Sequence, residues 1–301
     1  MRRRLFPLAA MLVFSSVIRA ADAPTAQPAS PFPIEEESPD PKLAKIVLVG
    51  GSTYYKPGEH EYLATCAALR HLLLQNPGVF PVIAKDWPTK PSTFEGAKAV
   101  LFLANGGATN ALVTQHAAEV QKLVDAGVGV VALHQMADYP KDFGDRARLW
   151  IGGAFEPGFS KRAHWVDTYN VTSDHPIARG VKSFKIDDGW LFQLRFVDGM
   201  KGITPLVRAS DPKKPTKKEA SGESGTVVSW AYERPTGGRS FVFTGTHLYA
   251  SFGEEGYRRL LTNGLLWAAG VEVPAQGAKV ELSEATMNSL IPPAPPAVKK
   301  K

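Results

Sequence analysis

Three histidines in this chain stand just behind segments that read as buried strands. His60 follows Ile46-Val47-Leu48-Val49-Gly50-Gly51 and a short loop, His134 directly follows Val130-Val131-Ala132-Leu133, and His247 follows Phe241-Val242-Phe243-Thr244-Gly245-Thr246. Neutral imidazole is a common ligand of zinc and related divalent ions. It is also the side chain best suited to proton transfer near neutral pH. In open α/β sheets, ligands bind beyond the carboxyl ends of the strands. A single histidine there more often caps or hydrogen-bonds the local backbone, whereas three at equivalent positions point to a site. Two uses follow. His60 and His134 can act with Asp188 as acids and bases, or His60, His134 and His247 can hold a divalent metal, zinc being the best match.

Tyr54, Trp190 and Tyr249 fall beside the same edge, and aromatic faces suit pyranose rings. His175 precedes Pro176 in a turn, where it either organises the backbone or adds a polar contact to a ligand. Asp187 and Asp188 are adjacent and point apart in an extended segment. They therefore do not form the paired carboxylates of an ordinary glycosidase.

The elements needed to carry these residues are legible. The strand 46–51 leads into an amphipathic helix over 59–75, with Leu63, Ala67, Leu69, Leu72 and Leu73 on one face. Strands follow at 81–85 and 99–103, then a helix over 114–127 and a strand over 128–133. Apolar strands alternating with helices predict an α/β, doubly wound, mostly parallel sheet. The second half is β-rich, with strands expected at 165–171, 204–207, 226–232 and 240–244 and a closing helix over 254–269. No linker interrupts residues 43–275, which read as one domain.

Arg2, Arg3 and Arg4 precede an apolar run from Leu5 to Ile18, and a small-residue site ends at Ala20. This pattern predicts a signal peptide over 1–20, and the run is shorter than the ~20 residues of a bilayer span. The mature protein is accordingly expected in the periplasm or secreted, without stable membrane insertion. Residues 21–42 read as a disordered segment and 276–301 as a flexible tail. The net charge is +6, but part of the basic excess sits at the two ends and around Pro212 and Pro215, and no stretch interleaves basic residues with aromatics. That distribution argues against a nucleic-acid partner. No GxGxxG follows the first strand, so no nucleotide cofactor is expected. The single cysteine, Cys66, falls in a helix and reads as a buried apolar residue.

In order and spacing the chain resembles the ThuA-like (trehalose-utilisation) family. The shared segments are Gly50-Gly51, His60, Ala132-Leu133-His134, His175-Pro176-Ile177-Ala178-Arg179-Gly180, Asp187-Asp188-Gly189-Trp190 and Gly245-Thr246-His247, across roughly residues 45–270. There are departures. Gly152-Gly153-Ala154-Phe155 leads to Glu156-Pro157-Gly158 rather than to His-Pro, with His164 nearby but out of register. The acidic pair is Asp-Asp rather than Asp-Glu. The resemblance implies a class I glutamine amidotransferase-like (flavodoxin-like) fold in which His134 stands on the turn that carries the catalytic cysteine of amidotransferases. With Cys66 elsewhere, glutamine hydrolysis through a thiolate is excluded as an inherited activity. The resemblance also implies a carbohydrate ligand, an oxidised (3-keto) glycoside, and a lyase, hydrolase or isomerase. The alternative is a non-catalytic carbohydrate-binding protein on the same fold.

Overall fold

Ile46, Val47, Leu48 and Val49 run without a polar break because the strand that holds them is covered on both faces. In the computed structural model all four are fully buried. Ile46 and Leu48 face one hydrophobic core, and Val47 and Val49 face the other. The structure describes residues 31–293 apart from 53–54, 172 and 211–225. The expected signal peptide and the lysine-rich stretch 213–218 lie outside the described residues.

In chain order the elements are β1 (Ala44–Gly50), α1 (Tyr62–Leu73), β2 (Val79–Lys85), β3 (Ala97–Leu103), α2 (Ala111–Thr114), α3 (Ala117–Asp125), β4 (Gly129–Leu133) and α4 (Gly144–Ile151). Then come β5 (Gly153–Ala154), β6 (Lys161–Tyr169), β7 (Phe184–Phe192), β8 (Arg195–Phe196), β9 (Ile203–Ala209), β10 (Thr226–Glu233), β11 (Arg239–Phe243), α5 (Glu255–Ala268) and α6 (Glu284–Ser289). The main sheet has the order β2-β1-β3-β4-β11-β10-β9. β2, β1, β3, β4 and β11 are parallel, and β10 runs antiparallel between β11 and β9. Helices α1 and α5 cover one face, and α3 and α4 the other. Gly264 of α5 is needed for that cover, since a Cβ there would lie 2.2 Å from the Phe241 ring.

The expected α/β fold is present, with differences. The first helix begins at Tyr62, because residues 55–61 belong to the loop that delivers His60. The helix expected over 114–127 is two pieces, α2 and α3, and His116 between them stacks on Trp87 at 3.9 Å. β7 falls where no strand is expected. It forms an antiparallel hairpin with β6, which starts at Lys161, ahead of the expected Trp165. Among the described residues no helix is long and apolar enough to cross a membrane.

Both loose ends are corrected where they are described. Residues 276–291 are fastened to the body: Ala278 and Val280 are buried, the Ala278 amide donates to Asn263 Oδ1, and α6 follows. From Phe32, which enters the core, the N-terminal segment is held by Glu35. The Glu35 carboxylate accepts from the amides of Thr89 and Lys90 at 2.8 Å and from the hydroxyls of Thr89 and Thr93. Burial raises the Glu35 pKa, and these four hydrogen bonds outweigh it, leaving a net lowering. A lowered carboxylate pKa adds stability that is present above the unfolded-state pKa and is lost as pH falls through the folded-state value. Glu35→Ala should therefore cost about 1–3 kcal/mol at neutral pH, read as a lower denaturation midpoint. The gap between variant and wild type should narrow in acid.

Candidate functional site

Each candidate histidine reaches the carboxyl edge of the sheet on a strained turn. His60 has φ 52° and His134 φ 51°, and Thr246, immediately before His247, has φ 81°. Left-handed backbone at non-glycine residues, one of them β-branched, persists only where the surroundings enforce it, and such residues cluster at functional sites. The enforcement is visible. The loop carrying His60 is sewn to the turn carrying His247, with the His60 amide donating to the His247 carbonyl and the Tyr249 amide to the Gly58 carbonyl, both at 2.9 Å.

The three rings converge. Their centroids lie 4.9 Å apart for His60 and His134, 4.3 Å for His60 and His247, and 5.3 Å for His134 and His247. One nitrogen from each falls within 4.8 Å of the others, and all three residues are buried. Two nitrogens bound to one zinc ion at ~2.0–2.1 Å lie roughly 3.4 Å apart, so the triad is of the size a single ion requires, slightly opened.

The surrounding hydrogen bonds set the tautomers. His134 Nδ1 donates to the Thr244 carbonyl at 3.2 Å, which leaves Nε2 as a bare acceptor, buried and without a partner. The Tyr62 hydroxyl gives its proton to Asn105 Oδ1 at 2.9 Å, so His60 Nδ1 donates to Tyr62 at 2.9 Å and Nε2 is again bare. Tyr55 donates to the same Asn105 oxygen at 2.7 Å and stacks on His60 at 4.1 Å. Burial, reinforced by the neighbouring imidazoles, lowers the His60 pKa to about 4. It pushes His134 well below the usual histidine range and lowers His247 as well. All three are therefore neutral at pH 7, which is the form that binds a metal. Tyr62→Phe should leave the fold intact and weaken metal binding about 10- to 100-fold, the usual cost of losing an outer-shell partner, in a competitive chelator titration.

Asp188 is corrected from a reacting group to a positioning residue. It is fully buried in β7, and its carboxylate accepts from the amides of Gly189 at 2.8 Å, Thr246 at 2.9 Å and His247 at 2.7 Å. Burial raises its pKa to about 6 against the pull of those amides. Asp188 thus pins the strained turn that presents His247. Asp187 points the other way and is exposed, so the two carboxylates do not pair.

The aromatic and His175 expectations are corrected too. The Trp190 ring is 1% exposed and packs against Trp165, Tyr169 and Phe243, so it belongs to the core and offers no stacking face. Tyr249 is buried, and its hydroxyl holds the Met287 carbonyl at 2.9 Å. His175 caps a short turn by accepting from the Ile177 amide at 3.2 Å and lies on Trp267, at the end of α5. Tyr54 lies outside the described residues. Cys66 is buried in α1, and burial pushes its thiol up, away from any reactive state.

Two residues that the sequence reading did not select complete the site. His164 and Arg162, alternate exposed residues on β6, line one cleft with the three histidines, about 210 Å³ in volume. The His164 ring lies edge-on to His247 at 4.4 Å and fits because Gly189 faces it, where a Cβ would sit 2.8 Å from His164 Cε1. The signal was the alternation Arg162, His164, Val166, hidden because the strand is expected only from Trp165.

A doubly wound sheet with a histidine cluster at its carboxyl edge, and a histidine on the strained turn after the fourth strand, defines a ThuA-like α/β protein. The family described as ThuA, trehalose utilisation, matches residues 46–268, and the chain belongs to it. Among solved structures it is similar to a ThuA-like protein from Parabacteroides merdae, with TM-score 0.53, 17% identity, and coverage of 79% of this chain and 96% of that one. A ThuA-like protein from Bacteroides uniformis gives TM-score 0.53 at 16% identity, covering 81% of this chain and 95% of that one. A glutamine amidotransferase from Thermotoga maritima gives TM-score 0.46 at 8% identity, covering 75% of this chain and 98% of that one. No curated protein matches.

Proposed function

We propose that this protein is an exported, metal-dependent enzyme that cleaves or isomerises oxidised, 3-keto glycosides at the His60–His134–His247 site. The observation that carries the reading is the pair of outer-shell bonds that leave His60 Nε2 and His134 Nε2 bare, with His134 Nε2 buried and orphaned beside His60 and His247. A buried acceptor without a partner is costly, and a metal ion would satisfy it. The basic and apolar N-terminus supports export, and the family's link to trehalose utilisation supports a sugar ligand.

His60, His134 and His247 would hold the ion, which as a Lewis acid would polarise the keto oxygen of a bound sugar. A 3-keto group acidifies the hydrogen at C2. With three imidazoles occupied as ligands, the proton carrier is His164, exposed on the cleft wall and in touch with solvent. It would take the C2 proton and return it either to the departing C1 substituent or to C3, the hydroxyl proton on O2 then passing to the C3 oxygen. The first outcome is elimination and the second isomerisation. His164→Gln should keep stoichiometric metal and lower turnover of a 3-keto glycoside by about 10²–10⁴-fold, the usual worth of a general base. Full turnover in that variant would remove His164 from the chemistry. Sugar binding without turnover in the metal-loaded wild type would favour the non-catalytic binding reading.

A further inference from the structure

Among the described residues, Arg162 is the permanently charged side chain that lines the cleft, and its anchoring is asymmetric. Asp138, at the end of the turn 134–137 that follows β4, is 2% exposed. Its backbone carbonyl accepts from the Gly107 amide at 2.9 Å and from Asn110 Nδ2 at 3.0 Å, which fixes its place. Its Oδ2 accepts from an Arg162 terminal nitrogen, while Oδ1 is buried without a partner. The Arg162 guanidinium lies over the Phe155 ring at 4.5 Å. Side-chain exposure is 57% for Arg162 against 3% for Asp138, so the carboxylate stays behind the wall and the guanidinium faces the cleft. Burying a carboxylate is unfavourable, and burial raises the Asp138 pKa even with Arg162 beside it.

An ion pair on an open surface has no need of a buried partner or an aromatic support. An arginine held at one corner and stacked on a ring keeps its remaining N–H donors in a rigid fork that matches a carboxylate or phosphate. Among the described residues no other acceptor takes those donors.

We propose that Arg162 recognises an oxyanion on the ligand, so that the preferred substrate is an acidic sugar rather than a neutral one. This rests on the carbohydrate reading of the cleft and narrows it. The carboxylate of a uronic or aldonic acid and a sugar phosphate share the required chemistry.

The test is calorimetric titration of the metal-loaded full chain with glucuronate, glucose 6-phosphate, glucose and acetate, in wild type, Arg162→Gln and Arg162→Lys. At least one acidic sugar should bind roughly ten- to a hundredfold more tightly than glucose, the usual worth of a charge-assisted pair. Which of the two binds separates carboxylate from phosphate. Arg162→Gln should bring the acidic sugar down to the glucose level, with a much smaller loss for glucose. Arg162→Lys, which retains a cation for Asp138 but lacks the fork, should lose most of the preference while melting as the wild type does. Equal affinity for acidic and neutral sugars in the wild type, or equal losses for both in Arg162→Gln, would overturn the proposal. Acetate binding as tightly as glucuronate would keep the oxyanion contact but remove the carbohydrate reading beneath it. No binding by any sugar would remove both.

Discussion

Replacing His134 by alanine should abolish metal retention and turnover while the protein stays folded. His134 Nε2 is the buried, partnerless acceptor of the triad, and Nδ1 is already committed to Thr244, so no other atom of the residue can take its place. Removing an outer-shell partner costs about 10- to 100-fold in metal affinity, and removing the ligand itself should cost more. The fold should tolerate the change. The His134 side chain contributes one hydrogen bond to the backbone, and the strand before it is held between β3 and β11. Metal analysis beside circular dichroism checks both halves. Stoichiometric metal in a folded His134→Ala protein would contradict the assignment.

Asp188→Ala should be the more damaging change to the molecule as a whole. It would leave the buried amides of Gly189, Thr246 and His247 without their acceptor, at about 1–3 kcal/mol for each donor that finds no substitute. The same change releases Thr246 from its left-handed backbone, so His247 leaves the triad. Asp188→Asn separates the two effects. Its amide keeps one acceptor oxygen but turns a donor toward the remaining N–H groups. It should fold with a denaturation midpoint clearly below wild type and bind metal more weakly than Tyr62→Phe does. A normal midpoint together with normal metal affinity in Asp188→Asn would leave Asp188 without the positioning role.

The parallel core could be read in advance because its physics is local. Continuous runs such as Val130–Leu133 suit only a strand covered on both faces, and the glycines and histidines that follow mark its carboxyl end. The convergence of His60, His134 and His247 followed from that placement alone. The supporting residues were less legible, because their roles depend on long-range contacts. Asp188 reads as an acid or base of the site until β7 pairs with β6 and brings it beneath the turn at Thr246. Trp190 sits in the same acidic-aromatic segment, yet strand alternation sends its ring into the core. His164 was visible in the sequence but fell outside the expected strand. Residues 31–42 carry the composition of a disordered segment, and only two of them, Phe32 and Glu35, are buried to secure it.

Three neutral histidines are proposed to form one metal centre. Its most direct test is elemental analysis of the full chain purified without chelators, followed by cobalt titration of the stripped protein. One divalent ion per chain and a cobalt spectrum with nitrogen ligation are expected, with both lost in His60→Ala, His134→Ala and His247→Ala alike. A wild-type protein that retains no metal and gives no cobalt spectrum would contradict it.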